Sequence, residues 1–149
     1  LARLEYRLLD AAKGFPVLYY YDPIDKAEIA ARFACDYFVK NAVVYEKTSC
    51  AVEPTAYVIY VNIAAEETAI AGAGSTGSRY SGIRLEFRQF KEGTADYPVV
   101  NTFEFMEYKD VLLYLLSDYQ FWLGQEWQKT STEIDEDRKV YVYYAKPTV

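Results

Sequence analysis

The chain has no histidine, two cysteines, one methionine, five prolines and seven glycines in 149 residues. Without histidine there is no Ser-His-Asp or Cys-His catalysis, no imidazole base and no histidine-ligated zinc. Cys35 and Cys50 alone do not make a disulfide framework. No run of 18 or more apolar residues exists, and the longest hydrophobic stretch, Val111 to Leu116, has the length of a buried helix segment. Basic residues are also in deficit, 16 against 22 acidic, for a formal charge of −6. Nucleic-acid affinity comes largely from clustered Lys and Arg, so a nucleic-acid partner is not expected, nor is a membrane. The chain starts at Leu1 rather than methionine, so a few residues or an exported leader could precede it; a reducing cytoplasm is the expected compartment.

What the chain has in excess is aromatic: 16 tyrosines, eight phenylalanines and two tryptophans. With 52% hydrophobic residues it can bury a core, and this length suits one domain.

A repeat is written into the order of residues. Arg3-Leu4-Glu5-Tyr6-Arg7 recurs as Arg84-Leu85-Glu86-Phe87-Arg88, an offset of 81. At an offset of 82, Pro16-Val17-Leu18 matches Pro98-Val99-Val100, Asp36-Tyr37 matches Asp118-Tyr119, and Lys47-Thr48-Ser49 matches Lys129-Thr130-Ser131. After one inserted residue, Tyr57–Val61 falls on Val140–Tyr144. We read two copies of one unit, about residues 1–63 and 81–146, within a single domain spanning 1–149.

Each copy reads as β-β-α-β-β. Residues 1–12 alone suggest a helix, but their counterpart Ile83–Phe90 alternates apolar and polar as a half-buried strand does. The first strand is therefore expected to point Leu4, Tyr6 and Leu8 inward and Arg3, Glu5 and Arg7 to solvent. Pro16 and Pro98 open second strands. Asp22-Pro23 reads as a helix N-cap and first helical position, with Ile24, Ala27, Ala31, Ala34 and Phe38 as an apolar stripe. The matching helix spans about Glu107–Ser117, and two strands follow each helix, near 42–49 and 56–63, then 125–131 and 139–145.

One helix covers one sheet face, so the copies are expected to pack together as an α+β, pseudo-twofold domain of about eight mostly antiparallel strands and two helices. Between them, residues 64–80 have the small-residue composition of a flexible linker. Its Gly72–Arg79 stretch lacks the lysine and following helix of a phosphate loop.

Few residues suggest chemistry. Asp36 and Asp118 fall near helix C-termini, where negative charge is disfavoured, so a specific partner is expected. Arg7, Arg88, Lys47 and Lys129 are the candidates, forming a structural junction, with a catalytic aspartate pair as the alternative. The strand-borne Lys-Thr-Ser lacks the Ser-x-x-Lys that acyltransferase chemistry needs. The acidic run Glu133–Asp137 lacks calcium-loop spacing and reads as a solvated hairpin tip.

No metal and no cofactor is implied, and no catalytic residue is assigned. The expected function is non-enzymatic binding or regulation, with an aromatic sheet face meeting a protein partner or a second copy. Its candidate residues are Tyr19, Tyr20, Tyr21, Trp122, Trp127, Tyr141 and Tyr143. Two alternatives stand: a small-molecule binder with an aromatic pocket between the copies, and a hydrolase-type enzyme using Asp36 and Asp118.

Overall fold

The structure, a computed structural model, describes residues 1–70 and 82–149. It is a mixed α+β fold in which ten strands form one sheet carrying two helices. The N-terminal half contributes β1 (Ala2–Leu8), β2 (Val17–Ile24), α1 (Lys26–Phe33), β3 (Tyr37–Lys40), β4 (Val43–Val52) and β5 (Tyr57–Ile63). The C-terminal half contributes β6 (Ile83–Gln89), β7 (Val99–Phe105), α2 (Tyr108–Leu116), β8 (Tyr119–Trp122), β9 (Gln125–Asp135) and β10 (Val140–Pro147).

The sheet runs β2-β1-β5-β4-β3-β9-β10-β6-β7, with β8 also on β9. Neighbours are antiparallel except β1 with β5, β6 with β10 and β3 with β9. The last of these, Tyr37–Val39 beside Glu133–Asp135, joins the halves into one sheet. In each half the first strand sits between the second and the last, Leu4 opposite Tyr57 and Leu85 opposite Tyr141.

Ten strands rather than about eight arise because β3 and β8 are separate strands. Each closes a two-residue hairpin, Asn41-Ala42 or Leu123-Gly124, with both central residues at positive φ. That is the turn whose twist matches paired strands, and only Gly124 meets its φ without strain. The N–H groups of Asn41 and Ala42 both donate to the Asp137 carboxylate at 2.8 Å, which ties that turn to the other half.

Asp22 and Pro23 end the edge strand β2, where a missing N–H is tolerated, and the cap of α1 is Asp25, which accepts from the Ala27 N–H at 2.8 Å. Phe38 accordingly lies on β3, beyond the helix.

Both helices cover one face of the sheet. Ile29 and Ala31 of α1 and Val111 and Leu115 of α2 meet Leu4, Tyr6, Leu85, Phe87 and Tyr143 in one core. Tyr6 stacks on Phe38 at 3.9 Å, so much of the tyrosine excess fills the space beneath α1. The opposite face is less open than strand alternation implies: Glu5 and Glu86 are buried there instead of facing water. Part of the expected linker covers it. Ala64 donates its N–H to Val44 at 2.9 Å, and Ala69 and Ile70 pack on Val39 and Val140 neighbours. The rest of that segment, including Gly72–Arg79, lies outside the described residues. Among the described residues no helix is long and apolar enough to cross a membrane.

Candidate functional site

On the face away from the helices a cleft of about 750 Å³ opens between the halves. Its floor is Glu133 on β9 and Tyr144 on β10; Tyr37 on β3 forms one side, and Arg88 leads into the β6–β7 loop that forms the other. That loop brings Phe90 and Tyr97 together as a stacked pair at 5.4 Å, and Tyr97 meets Tyr144 edge-on at 5.4 Å. The result is a continuous aromatic wall beside a carboxylate. A volume of this size accommodates a small organic ligand.

Beneath the cleft lies a chain of buried charges. Arg138 donates from Nε to Asp135 and from Nη1 to Glu86, both at 2.9 Å. Arg88 donates to the other Glu86 oxygen at 2.9 Å and to the Tyr97 carbonyl at 2.7 Å. Two guanidiniums are thus matched by Glu86 and Asp135, and Glu133 is the carboxylate in excess. Among the described residues its hydrogen-bond partner is the Tyr144 hydroxyl, which donates at 3.2 Å. Glu133 is 7% exposed. Burial first, then the neighbouring Asp135 charge, pushes its carboxyl up to about 7. Burial would also raise Glu86, but hydrogen bonds from Arg138 and Arg88 outweigh it and hold that carboxyl below its usual value.

A second cavity, about 260 Å³, lies on the helix side around Arg32 and Tyr141. Arg32 is almost fully buried; it pairs with Glu28 at 3.1 Å and with Glu136, donates to the Tyr6 hydroxyl at 3.3 Å, and sits 4.6 Å over the Tyr21 ring. The Tyr141 hydroxyl there is buried with no hydrogen-bond partner among the described residues.

The residues proposed as a junction are distributed as follows. The Asp36 carboxylate accepts from the Thr132 N–H at 2.9 Å, while the Asp36 N–H donates to the Thr132 carbonyl at 2.9 Å, across the two halves. Asp118 is exposed, with Lys129 at 3.9 Å. The two aspartates meet the same edge of β9, at Thr132 and Lys129, about 10 Å apart along a strand. That separation, with an Asp36 oxygen already engaged, does not make a shared-proton pair. Lys47 and Lys129 turn to the helix ends, donating to the Phe33 and Leu115 carbonyls. Arg7 holds Glu5 and Glu53, and Arg88 holds Glu86.

The candidate aromatic face is divided between core and surface. Tyr143 donates its hydroxyl to Ser117, Trp127 packs edge-on to Phe87 at 5.2 Å, and both are buried with Tyr141 in the core. Tyr19 and Tyr21 are half-buried on the helix side, and Trp122 packs on Phe103 at 5.5 Å. Tyr20 alone of the seven is strongly exposed, at 61%, under the Arg3 guanidinium at 4.3 Å. None of the seven lines the large cleft.

The acidic run is not a solvated tip. Glu133 and Asp135 are buried, Glu136 pairs with Arg32 and Lys40, and Asp137 caps the β3–β4 turn. Sequence reasoning therefore passed over Glu133, Tyr144, Tyr97 and Phe90. A signal was present: Glu133 and Asp135 alternate with Thr132 and Ile134 on a strand, which puts both acids on one face.

Cys35 is buried and Cys50 exposed, both free thiols. Burial pushes the Cys35 thiol up, the reverse of an activated nucleophile. No three or more Cys, Asp or Glu are grouped to hold a metal ion among the described residues. No protein-family model, curated protein or solved structure matches the chain.

Proposed function

We propose that this is a non-enzymatic binding protein that takes a small organic molecule in the cleft between its halves. The observation that carries the reading is the convergence of a buried carboxyl, Glu133, which has no ion-pair partner among the described residues, with the Phe90–Tyr97–Tyr144 wall in one cavity. The aromatic sheet-face reading has weaker support, because Trp127, Tyr141 and Tyr143 spend their surface inside the core. An aspartate-pair hydrolase has weaker support still, given the separation of Asp36 and Asp118. Two free thiols favour a reducing, cytoplasmic setting for such a protein.

The same proposal takes the molecule as a duplicated unit with pseudo-twofold arrangement. Paired contacts support it. Leu8 and Gln89 donate to Pro16 and Pro98 at 2.9 Å in both cases; Lys47 and Lys129 amides donate to Asp36 and Asp118 carbonyls at 2.8 Å in both. The strand registers favour Tyr57 with Tyr141, one residue beyond the sequence alignment. On this reading Glu133 stands where the first copy has Ala51, so the ligand site is an addition to one copy.

A small-molecule thermal-shift screen of the intact chain tests the function. A ligand at 100 times its Kd stabilises by about 2.7 kcal/mol, and Thr130→Trp, which places a bulky ring in the cleft, abolishes the shift. Hits that survive Thr130→Trp unchanged place the binding elsewhere and overturn the reading.

A further inference from the structure

Resting on the cleft-binding reading, we infer that the ligand is an organic cation, an ammonium group carried on an apolar or aromatic body. Among the described residues three carboxylates, Glu86, Glu133 and Asp135, stand against two guanidiniums, Arg88 and Arg138, at and beneath the cleft floor. Arg138 donates to Glu86 and Asp135, and Arg88 to Glu86 and to the Tyr97 carbonyl, which engages Arg88 on two sides. Of these five groups Glu133 and Arg88 line the cleft, where Glu67 and Asp96 add two further carboxylates, so the lining carries more negative than positive charge.

A buried uncompensated charge is unfavourable, so the site gains most from a ligand that brings the missing positive charge. The walls suit the same ligand. Tyr37, Tyr97 and Tyr144 line the cleft, and the attraction of an aromatic ring face for a cation strengthens when desolvated. The rim adds Glu67 and Asp96, so a cation is attracted before it enters. The groups around Glu133 are Asp135 and Arg138 from β9 and its turn, Arg88 from β6, Tyr144 from β10 and Tyr37 from β3. With its carboxyl pushed up to about 7, Glu133 is charged above neutrality and protonated below it, so cation affinity rises with pH.

The test is a heteronuclear NMR titration of the intact protein with benzyltrimethylammonium, whose charge does not titrate, against 2-phenylethanol and 3-phenylpropionate. Near pH 8 the cation is expected to move the amides of Tyr97, Glu133 and Tyr144, and to bind about tenfold tighter than the alcohol. Lowering the pH to near 6 should weaken the cation by about tenfold and leave the alcohol unchanged. Glu133→Gln, isosteric and neutral, should remove both the preference and the pH dependence while keeping the wild-type melting temperature or exceeding it. If the alcohol or the carboxylate binds at these residues as tightly as the cation, the charge assignment is overturned and the cleft reading stands. If none of the three perturbs them, both are overturned.

Discussion

The same strand positions carry charge in both halves of the sheet, under different conditions. In the N-terminal half Arg7 grips Glu53 with both terminal nitrogens at 2.9 and 3.0 Å, but the Glu53 side chain is 36% exposed, so water shares the interaction. In the C-terminal half Asp135 is sealed, as is the Arg138 that holds it. On the proposed duplication, the first half has Ala51 where the second has Glu133. The number of ion pairs therefore says little about either half. Burial decides which pair the fold depends on, and among the described residues the buried Glu133 has the Tyr144 hydroxyl rather than an arginine as its hydrogen-bond partner.

The widest separation between the halves should come from removing one arginine from each. Arg138→Ala leaves Asp135 buried without its guanidinium and Glu86 with Arg88 alone, and should destabilise by about 3–5 kcal/mol. Arg7→Ala, at the wetter network, should cost less than about 1 kcal/mol. Urea unfolding of both variants measures this, and equal losses would remove burial as the deciding variable.

Glu133 sharpens the comparison through pH. An unfolded glutamate titrates near 4.3, whereas the native Glu133 carboxyl is pushed up to about 7, so between those values the native state holds the extra proton. Stability should fall as pH rises through that window and level off above it. The lowered carboxyls act in the opposite sense. Glu5 is held down first by its Arg3 hydrogen bond, and Glu86 by Arg138 and Arg88 against the opposing effect of burial; their contributions are present above about pH 4.3 and lost in acid. Wild type should thus be most stable between about pH 4 and 5. Glu133→Gln should flatten the neutral limb and gain roughly 2 kcal/mol over wild type above neutrality. An unchanged slope in the variant would assign the neutral limb to another group.

A third contrast lies at the aspartates. Asp36→Ala removes the acceptor for the Thr132 N–H and should cost about 1–2 kcal/mol, because that donor is left in a partly closed joint between the halves. Asp118→Ala, at an exposed carboxylate, should stay within about 0.5 kcal/mol. Thermal melts of the two variants decide whether the joint is one-sided.

How far the sequence discloses the molecule depends on where each signal is local. The strand β1 was legible because its counterpart β6 alternates cleanly, and the alternation that places Leu4 and Tyr6 in the core is a property of the chain itself. The strands β3 and β8 were not, since their turns are Asn-Ala and Leu-Gly rather than Asn-Gly, and Asp137 from the other half holds one of them. The acidic run read as a hairpin tip because its partners Arg32, Lys40 and Arg138 reach it through tertiary contact. Arg88 stood out in the sequence, but as a partner for aspartate. Its place in the cleft depends on a loop, Phe90–Tyr97, whose aromatic ends meet only after folding.

The smallest effect is the one that should be equal in both halves. Lys47 and Lys129 each donate to a carbonyl in the last turn of the preceding helix, Phe33 in α1 and Leu115 in α2. A cation there answers the unsatisfied carbonyls and the negative end of the helix dipole, an interaction of about 0.3–1 kcal/mol. Both side chains sit in comparable surroundings, unlike the paired arginines. Lys47→Met and Lys129→Met keep the stem and remove the charge, so each should lower stability by that amount, and the double variant by the sum, since the sites share no partner. High salt should weaken both losses together. Equal, additive losses from these two lysines, beside the unequal losses from Arg7 and Arg138, would separate what a repeated unit keeps in both copies from what one copy has changed to build its cleft. Unequal losses would break the correspondence of the two helix ends, and with it the reading of Glu133 as an addition to one copy.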